Sequence, residues 1–229
     1  MIVAANFKMN KTRKEVKEYL EKLKNVDFDS VKVMVFPPMT ALFEDEVVGA
    51  QNAYPAINGA YTGEIGLEQL SEFNIKRILI GHSERRNILN ESQEFIAKKF
   101  EFYKNEGFEI VYCIGEKLEV RKRGLEAVIE ELKSQLKGID LDYEKLIVAY
   151  EPVWAIGTGV SASSEDIHST HFELRKLIKA PLLYGGSVKV NNVKDILNIE
   201  NVDGVLVGSA SLDFNSFKEM IEIAKSING

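Results

Sequence analysis

The sequence predicts an α/β protein that folds as a (β/α)8 barrel in a single domain spanning residues 1–229. Short apolar runs alternate with longer amphipathic runs along the chain, which is typical of a parallel sheet covered by helices. Eight such pairs follow one another, and eight units in one chain favour a closed barrel over an open doubly wound sheet. No linker, low-complexity segment or shift in composition separates the pairs into two domains.

The predicted strands are short and rich in aliphatic and β-branched side chains, as expected of strands that are buried on both faces. In chain order they are 1–7, 31–36, 47–51, 77–82, 109–115, 146–151, 182–186 and 204–209. The active sites of such barrels lie where the strands end. The carboxyl ends of these eight runs are therefore the places to look for chemistry.

The predicted helices lie between the strands and keep apolar residues on one stripe, as Val16, Leu20 and Leu23 do in the first helix. The helix at 90–107 is expected to begin with Asn90 as its N-cap and to end at a glycine. The full set is 12–25, 39–46, 66–73, 90–107, 117–137, 164–179, 191–199 and 213–227, of which the second and third are shorter than the rest.

Composition and charge exclude several partners. The chain has 35 acidic and 29 basic residues, a net charge of −6, and no run of five like charges, so nucleic acid is not expected to bind. The single cysteine, Cys113, cannot form an intrachain disulfide, which is typical of a reducing compartment. The N-terminal stretch has no basic leader, and the longest uncharged stretch, 47–63, is too polar for a membrane span. These features predict a cytoplasmic protein.

Three predicted strands end in groups suited to acid–base chemistry. Asn6 and Lys8 are two residues apart and share one side of a strand, as do His82 and Glu84 after the fourth strand. Glu151 ends the sixth strand, and a carboxylate delivered into a cleft by an apolar strand suits a general base. A solvated lysine, a structural histidine or a capping glutamate would explain each of these residues without a site.

Glycine-rich turns follow the last two predicted strands, at 184–188 and 207–211. Barrel enzymes commonly hold a phosphate there, because glycines let backbone amides approach its oxygens. His168 and His171 lie three apart on a predicted helix but lack a third metal ligand, so we interpret them as surface residues and predict no metal site. We interpret Cys113 as a core residue because no base is spaced beside it.

The segment that follows Glu151, residues 152–163, carries no charge and is rich in small residues, which indicates a mobile lid. The chain thus combines a base, a histidine, a lysine, an asparagine, a phosphate cradle and a lid. It has neither a metal-ligand pattern nor a dinucleotide fingerprint. This set favours cofactor-free proton transfer on a small phosphorylated carbonyl compound.

Seven motifs resemble the triosephosphate isomerase family and occur in the order found in that family. They are ANFKMN (5–10), FPPMT (36–40), GAYTGEIG (59–66), GHSERR (81–86), YEPVWAIGTG (150–159), YGGSV (184–188) and VGSAS (207–211). The resemblance implies a TIM barrel. It also implies the interconversion of D-glyceraldehyde 3-phosphate and dihydroxyacetone phosphate without a cofactor, a step of glycolysis and gluconeogenesis.

The resemblance also implies a role for each site residue. Glu151 would move a proton between two substrate carbons while His82 polarises the carbonyl. Lys8 would stabilise the enediolate, with Asn6 positioning the substrate and Glu84 supporting the lysine. The N–H donors to the phosphate would come from Gly157, Ser187, Gly208 and Ser209.

Two larger features follow from the same resemblance. The lid at about 152–163 would have PVW (152–154) as its first hinge and SAS (161–163) as its second, would carry AIGTG at its tip, and would be held shut by the Tyr184 hydroxyl. The chain would form a homodimer through the loop at about 52–65, with Thr62 reaching toward the partner's active site. Within that loop, the apolar residues expected to be buried by the partner are Tyr54, Ile57, Tyr61 and Ile65.

The chain departs from the family pattern in the lid and the phosphate cradle. Val160 and Ser161 stand where Lys and Thr are common, and Ser209 stands where Gly is frequent, which would add strain if that position needs a positive φ. Two other functions stay open: a Schiff-base aldolase with Lys8 as its nucleophile, and a barrel that serves as a non-catalytic structural protein.

Overall fold

Seven parallel strands and nine α-helices are found in residues 1–156 and 161–228, which the computed structural model describes. The strands are β1 (Ile2–Asn6), β2 (Lys32–Phe36), β3 (Arg77–Ile80), β4 (Glu109–Ile114), β5 (Leu146–Tyr150), β6 (Leu182–Tyr184) and β7 (Gly204–Val207). They are hydrogen-bonded in the order β2-β1-β7-β6-β5-β4-β3. The sheet therefore curls until β2 and β3 are separated by a single gap.

The segment 47–51 closes that gap without forming an eighth strand. Gly49 donates its N–H to the carbonyl oxygen of Val35 at 2.9 Å, and Ala50 donates to that of Arg77 at 2.9 Å. Two isolated parallel bridges replace a continuous ladder, because the chain leaves a turn just before this segment. The strand predicted here is wrong in extent, but the ring it completes is that of a (β/α)8 barrel, and the predicted fold class is confirmed.

Helices cover the outside of the ring. They are α1 (Arg13–Leu23), α2 (Leu67–Ser71), α3 (Ser83–Asn87), α4 (Gln93–Asn105), α5 (Leu118–Arg121), α6 (Leu125–Gln135), α7 (Ser164–Arg175), α8 (Val190–Leu197) and α9 (Phe214–Asn228). The predicted apolar stripe of α1 is confirmed, since Val16, Leu20 and Leu23 are all buried. Within the described part of the chain, no helix combines the length and the apolar character needed to cross a membrane.

Three predicted helices differ from those observed. The helix expected at 39–46 is only a 3-10 turn, Met39–Ala41, because Leu42 is extended and ends it. The helix expected at 117–137 is divided into α5 and α6 at Gly124, whose φ of 98° is incompatible with a continuous helix. Asn90 has a φ of 55° and does not cap α4; the hydroxyl of Ser92 does, by accepting from a first-turn amide.

The interior of the ring is filled by one side chain in two from each strand. This layer consists of Ile2, Ala4, Met34, Phe36, Leu79, Val111, Cys113, Ile147, Ala149, Leu183 and Leu206. The alternate residues face the helices and form a larger outer core. Cys113 is fully buried in the inner layer, and its interpretation as a core residue is confirmed.

His171, on α7, is fully buried, so its interpretation as a surface residue is wrong. Its Nδ1 lies 3.1 Å from the carbonyl oxygen of Asn201 and donates to it. Burial lowers the pKa of His171 to about 4, an effect that the Asn201 hydrogen bond and the charge of Asp203 only partly offset. The imidazole is neutral in the folded chain at neutral pH.

This buried histidine should make the fold sensitive to acid. Between pH 6.5 and about 4 the unfolded chain binds a proton at His171 that the folded chain does not, so the free energy of unfolding falls as the pH falls. The expected loss at pH 4 is about 3 kcal/mol. Denaturant unfolding of the wild type and of His171→Gln, measured from pH 7 to pH 4, should show a smaller loss in the variant. Equal losses would exclude His171 as the titrating group.

Candidate active site

A cavity of about 480 Å³ opens at the carboxyl ends of the strands. Glu84 lies beside it and contacts Lys8, while Gly157 lies outside the described residues. Parallel strands all end at the same edge of the ring, so residues far apart in the chain meet here. The predicted site residues that line this cavity are Asn6, Lys8, His82, Glu151, Ser187, Gly208 and Ser209.

Side-chain alternation explains why two of these residues point inward. Ala4 faces the barrel interior, so Asn6, two residues further along β1, faces the same way. Ala149 likewise faces inward near the end of β5, and Glu151 follows it by two. The strands therefore place an amide and a carboxylate above the apolar interior layer.

The same alternation brings glycines to the other inward positions at this level. Gly185 comes two residues after the inward-facing Leu183, and Gly208 comes two after Leu206. A Cβ atom on Gly185 would lie 2.8 Å from Cγ of Glu151, closer than real Cβ atoms approach other carbons. The missing side chains leave room for the Glu151 carboxylate and for a bound molecule.

The Glu151 carboxylate is 2% exposed, and both of its oxygens contact the turn that follows β3. Its Oε2 accepts the backbone N–H of Ser83 at 3.2 Å, and its Oε1 lies 3.0 Å from Nε2 of His82. Such partners offset the desolvation of a buried carboxylate. The group borders the cavity, so it can accept a proton from a molecule bound there.

His82 has a defined tautomer when it is neutral. It is the N-cap residue of α3, and the backbone N–H of Glu84, at the start of that helix, donates to its Nδ1 at 3.2 Å. A nitrogen that accepts a hydrogen bond carries no proton, so the proton of the neutral ring is on Nε2. Nε2 is the nitrogen that faces Glu151.

Opposing effects act on the charge of this imidazole. Burial lowers the pKa of His82, whereas the Glu151 carboxylate and, more weakly, the Glu84 carboxylate raise it, and the net direction is upward. The backbone N–H of Glu84, which donates to Nδ1, opposes protonation of that nitrogen. The rise in the His82 pKa therefore depends on the Glu151 carboxylate lying against Nε2.

Lys8 is held over the cavity by its own backbone. Its φ is 49°, and this uncommon conformation is fixed when its N–H donates to the Asn6 side chain at 2.9 Å and its carbonyl accepts from Gln51 at 2.8 Å. The ammonium group lies 2.8 Å from the Glu84 carboxylate. A fixed positive charge results at the mouth of the site.

The two glycine-rich turns line one wall of the cavity, and the second turn lies beside Lys8, since a Cβ atom on Gly208 would be 3.5 Å from Cε of that lysine. The first turn is tied to α8, because the Asn192 amide donates to the Ser187 carbonyl at 3.0 Å. In the second turn, Ser209 begins a 3-10 turn. Its φ is not positive, so a serine at this position is not strained. Lys189, which the sequence analysis missed, adds a positive charge to this wall.

The start of the predicted lid is anchored beneath the site. The Trp154 indole donates to Oε1 of Glu116 at 2.9 Å, and the backbone N–H of Val153 donates to the Glu116 carbonyl at 3.0 Å. At the other end, the Tyr184 hydroxyl is buried without a hydrogen-bond partner among the described residues, and burial raises its pKa. Of the predicted tip AIGTG (155–159), residues 157–159 lie outside the described residues, as does Val160.

Sequence reasoning missed three residues that orient the site. Gln51 binds the Lys8 carbonyl, Ser83 binds the Glu151 carboxylate, and Glu116 binds Trp154 at the start of the lid. Ser83 acts through its backbone, so its side-chain type carries no signal. Glu116 directly follows a strand-end glycine, which is a signal that could have been used. Among the described residues, no group of three or more His, Cys, Asp or Glu side chains could hold a metal ion.

The fold and the site together define a (β/α)8-barrel enzyme in which a carboxylate, an imidazole and an ammonium group share one cavity with two glycine-rich turns. A family model described as "Triosephosphate isomerase" matches residues 1–224. The chain belongs to the triosephosphate isomerase family, and the resemblance seen in the motifs is confirmed.

Individual relatives agree with the family assignment over the whole chain. A triosephosphate isomerase from a Sulfurovum species is 62% identical over 228 residues, which cover 96% of this chain and 99% of the relative. One from a Nitratiruptor species is 56% identical and covers 99% of this chain and 100% of the relative. One from Wolinella succinogenes is 56% identical, with 97% and 99% covered.

The Glu151–His82 contact should be visible in the titration of the imidazole. Replacing the carboxylate by a neutral amide in Glu151→Gln removes the largest effect that raises the pKa of His82 and leaves burial, which lowers it. The His82 pKa should therefore fall in the variant, as measured by NMR of labelled imidazoles. Glu130→Gln, which changes an exposed carboxylate on α6, should leave it unchanged. An unchanged His82 pKa in Glu151→Gln would contradict the coupling.

Proposed function

We propose that this chain interconverts D-glyceraldehyde 3-phosphate and dihydroxyacetone phosphate through an enediolate. The observation that carries the proposal is the 3.0 Å contact between Glu151 and His82, in a cavity that Lys8 and the glycine-rich turns also line. A base, a proton donor and a fixed positive charge are what aldose–ketose isomerisation requires. The name shared by the relatives supports the same reaction.

Glu151 acts as the base in this proposal. Its carboxylate takes a proton from the substrate carbon beside the carbonyl and returns it to the neighbouring carbon, so it is regenerated in each turnover. The carboxylate reaches the substrate by leaving its partners, the Ser83 amide and the His82 ring. Both contacts are polar and non-covalent, so the carboxylate can exchange them for a contact with the substrate.

His82 and Lys8 act on the substrate oxygens. The Nε2–H of the neutral imidazole donates to the carbonyl oxygen and then carries a proton between the two oxygens of the enediolate. The Lys8 ammonium stabilises the negative charge that develops, and the Asn6 amide positions the substrate beside it. Glu84 keeps the ammonium group in place at 2.8 Å.

The phosphate occupies the part of the cavity that the two glycine-rich turns line. Backbone amides at Ser187, Gly208 and Ser209 donate to its oxygens, with Gly157 contributed by the lid. Lid closure excludes water from the enediolate, which would otherwise lose its phosphate group. The hinge at Trp154 is anchored in Glu116. The buried Tyr184 hydroxyl makes no hydrogen bond among the described residues, so it has a donor to offer the second hinge when the lid closes.

The chain forms a homodimer in this proposal through the loop 52–65. Ile57 is 57% exposed and Tyr61 44%, although both are apolar. Next to Lys8 lies a second cavity of about 370 Å³, lined in part by Met9 and Leu89, which are also exposed. A loop of this size from a second copy would fill that cavity and carry Thr62 toward the site. Exposed apolar groups beside a catalytic cavity support such an interface.

A cytoplasmic location fits the single cysteine, which cannot form an intrachain disulfide. The aldolase alternative needs the Lys8 nitrogen to attack a substrate carbonyl, whereas this nitrogen lies 2.8 Å from the Glu84 carboxylate and is held in that ion pair. We therefore favour the isomerase over a Schiff-base enzyme.

The activity and its base are tested together. Wild-type protein should convert D-glyceraldehyde 3-phosphate to dihydroxyacetone phosphate in a coupled assay, with no added metal. Glu151→Gln should lower kcat by about a thousandfold, because an amide cannot accept the carbon-bound proton. Glu130→Gln should retain full activity. An inactive wild type would refute the reaction, and an active Glu151→Gln would refute the base.

The dimer interface is tested with a charge in the loop. Ile57→Glu should convert the protein to a monomer in light scattering and lower its activity, because a carboxylate would be buried in the interface. Phe172→Glu changes a residue of similar exposure on α7, outside the loop, and should leave the dimer intact. A monomeric wild type, or a dimeric Ile57→Glu, would contradict the proposed interface.

A further inference from the structure

Gln135 is the last residue of α6 and lies outside the cavity, yet its side chain contacts the strand end next to Glu151. The backbone N–H of Gly115 donates to Oε1 of Gln135 at 2.9 Å, and Nε2 of Gln135 donates to the Gly115 carbonyl at 2.9 Å. The side chain is 9% exposed. One amide group thus binds both backbone polar groups of a single residue.

Gly115 needs these bonds because it lies just beyond the sheet. The pairing of β4 with β5 ends at Ile114 and Tyr150. Buried backbone N–H and carbonyl groups must be paired, and an unpaired one costs about 1–3 kcal/mol. Gln135 therefore extends the hydrogen-bond ladder of β4 by one residue with a side chain.

Gly115 in turn packs directly on the backbone of the base. The Glu151 N–H donates to the Ile114 carbonyl at 2.7 Å. A Cβ atom on Gly115 would lie 1.8 Å from the carbonyl oxygen of Glu151. The two backbones are so close that a shift of Gly115 must shift Glu151.

The next residue extends the same connection to the lid. Glu116 follows Gly115, is fully buried, and accepts the hydrogen bonds of Trp154 and of the Val153 N–H. The strand end 115–116 therefore contacts both the base and the first hinge of the lid. Gln135 is the side chain that holds this strand end from outside the ring.

We propose that Gln135 is a positioning residue, which clamps Gly115 and thereby holds the Glu151 backbone in register for proton transfer. The inference rests on the proposed isomerase function. Gln135 does not line the cavity, so it touches neither substrate nor phosphate. A displacement of the base by a fraction of an ångström slows the chemical step, since a 1 Å error can cost about a hundredfold.

Gln135→Met keeps the length of the side chain and removes both of its hydrogen bonds to Gly115. Its kcat should fall on the order of 10- to 100-fold, while KM and the inhibition constant of inorganic phosphate stay within about twofold of the wild-type values. Loss of phosphate affinity in parallel with kcat would instead show a general structural role and overturn the proposal. Unchanged kcat in folded protein would overturn it as well.

Gln135→Glu supplies a readout that a purely structural role would not move. The ionised carboxylate can accept from the Gly115 N–H but cannot donate to its carbonyl, whereas the protonated carboxyl can do both. Burial beside Glu131 favours the protonated form as the pH falls. The kcat of the variant relative to the wild type should therefore rise as the pH is lowered from 8 to 6. A constant ratio would overturn the proposal.

Glu131→Gln is the matched control. Glu131 accepts from the same Gln135 amide at 2.9 Å but lies on α6, away from the strand end. This variant keeps the clamp on Gly115 and should retain wild-type kcat. Wild-type activity measured beside these variants separates the two hypotheses: an inactive wild type refutes the isomerase, and an active wild type with an unaffected Gln135→Met refutes only the clamp.

Discussion

The inward alternation of side chains in a closed parallel barrel is the constraint on which this site depends. Each strand presents every second residue to the interior, so β1 and β5 place Asn6 and Glu151 on top of an apolar layer. A shift of one residue in either strand would turn these groups toward the helices. The chemistry thus depends on strand register more than on any single contact in the site.

Because the Glu151 carboxylate is buried at this position, it requires polar partners. Glu151 is nearly inaccessible to solvent and needs the Ser83 amide and the His82 ring as partners. The loop geometry that supplies them also sets the tautomer of His82 through the Glu84 amide. Lys8 and Glu84 continue this chain of polar contacts, so four charged or polar side chains share one connected network. His171 provides a contrast, since the effect of burial outweighs that of the Asp203 charge, lowers the pKa of the imidazole and keeps it neutral.

The hydrophobic pattern of the sequence predicted the wrong extent for a strand or helix where one local backbone conformation ended or interrupted it. The apolar run 47–51 is typical of a strand, yet it forms only two bridges because a turn precedes it. The helix expected at 117–137 has the correct apolar spacing on both sides of Gly124 but is interrupted by the positive φ of that glycine. Hydrophobic periodicity reports which face is buried, and it does not report where the hydrogen-bond ladder stops.

The class of fold, the family and the residue types at the strand ends can be read from the sequence, because alternating apolar runs and short motifs are local properties of the chain. Which of these groups touch one another depends on tertiary packing. The 3.0 Å contact of His82 with Glu151, the support of Lys8 by Gln51 and the clamp of Gln135 on Gly115 join residues 20 to 69 positions apart. Such contacts depend on how strands and helices pack in three dimensions, and sequence spacing does not encode distances of that kind.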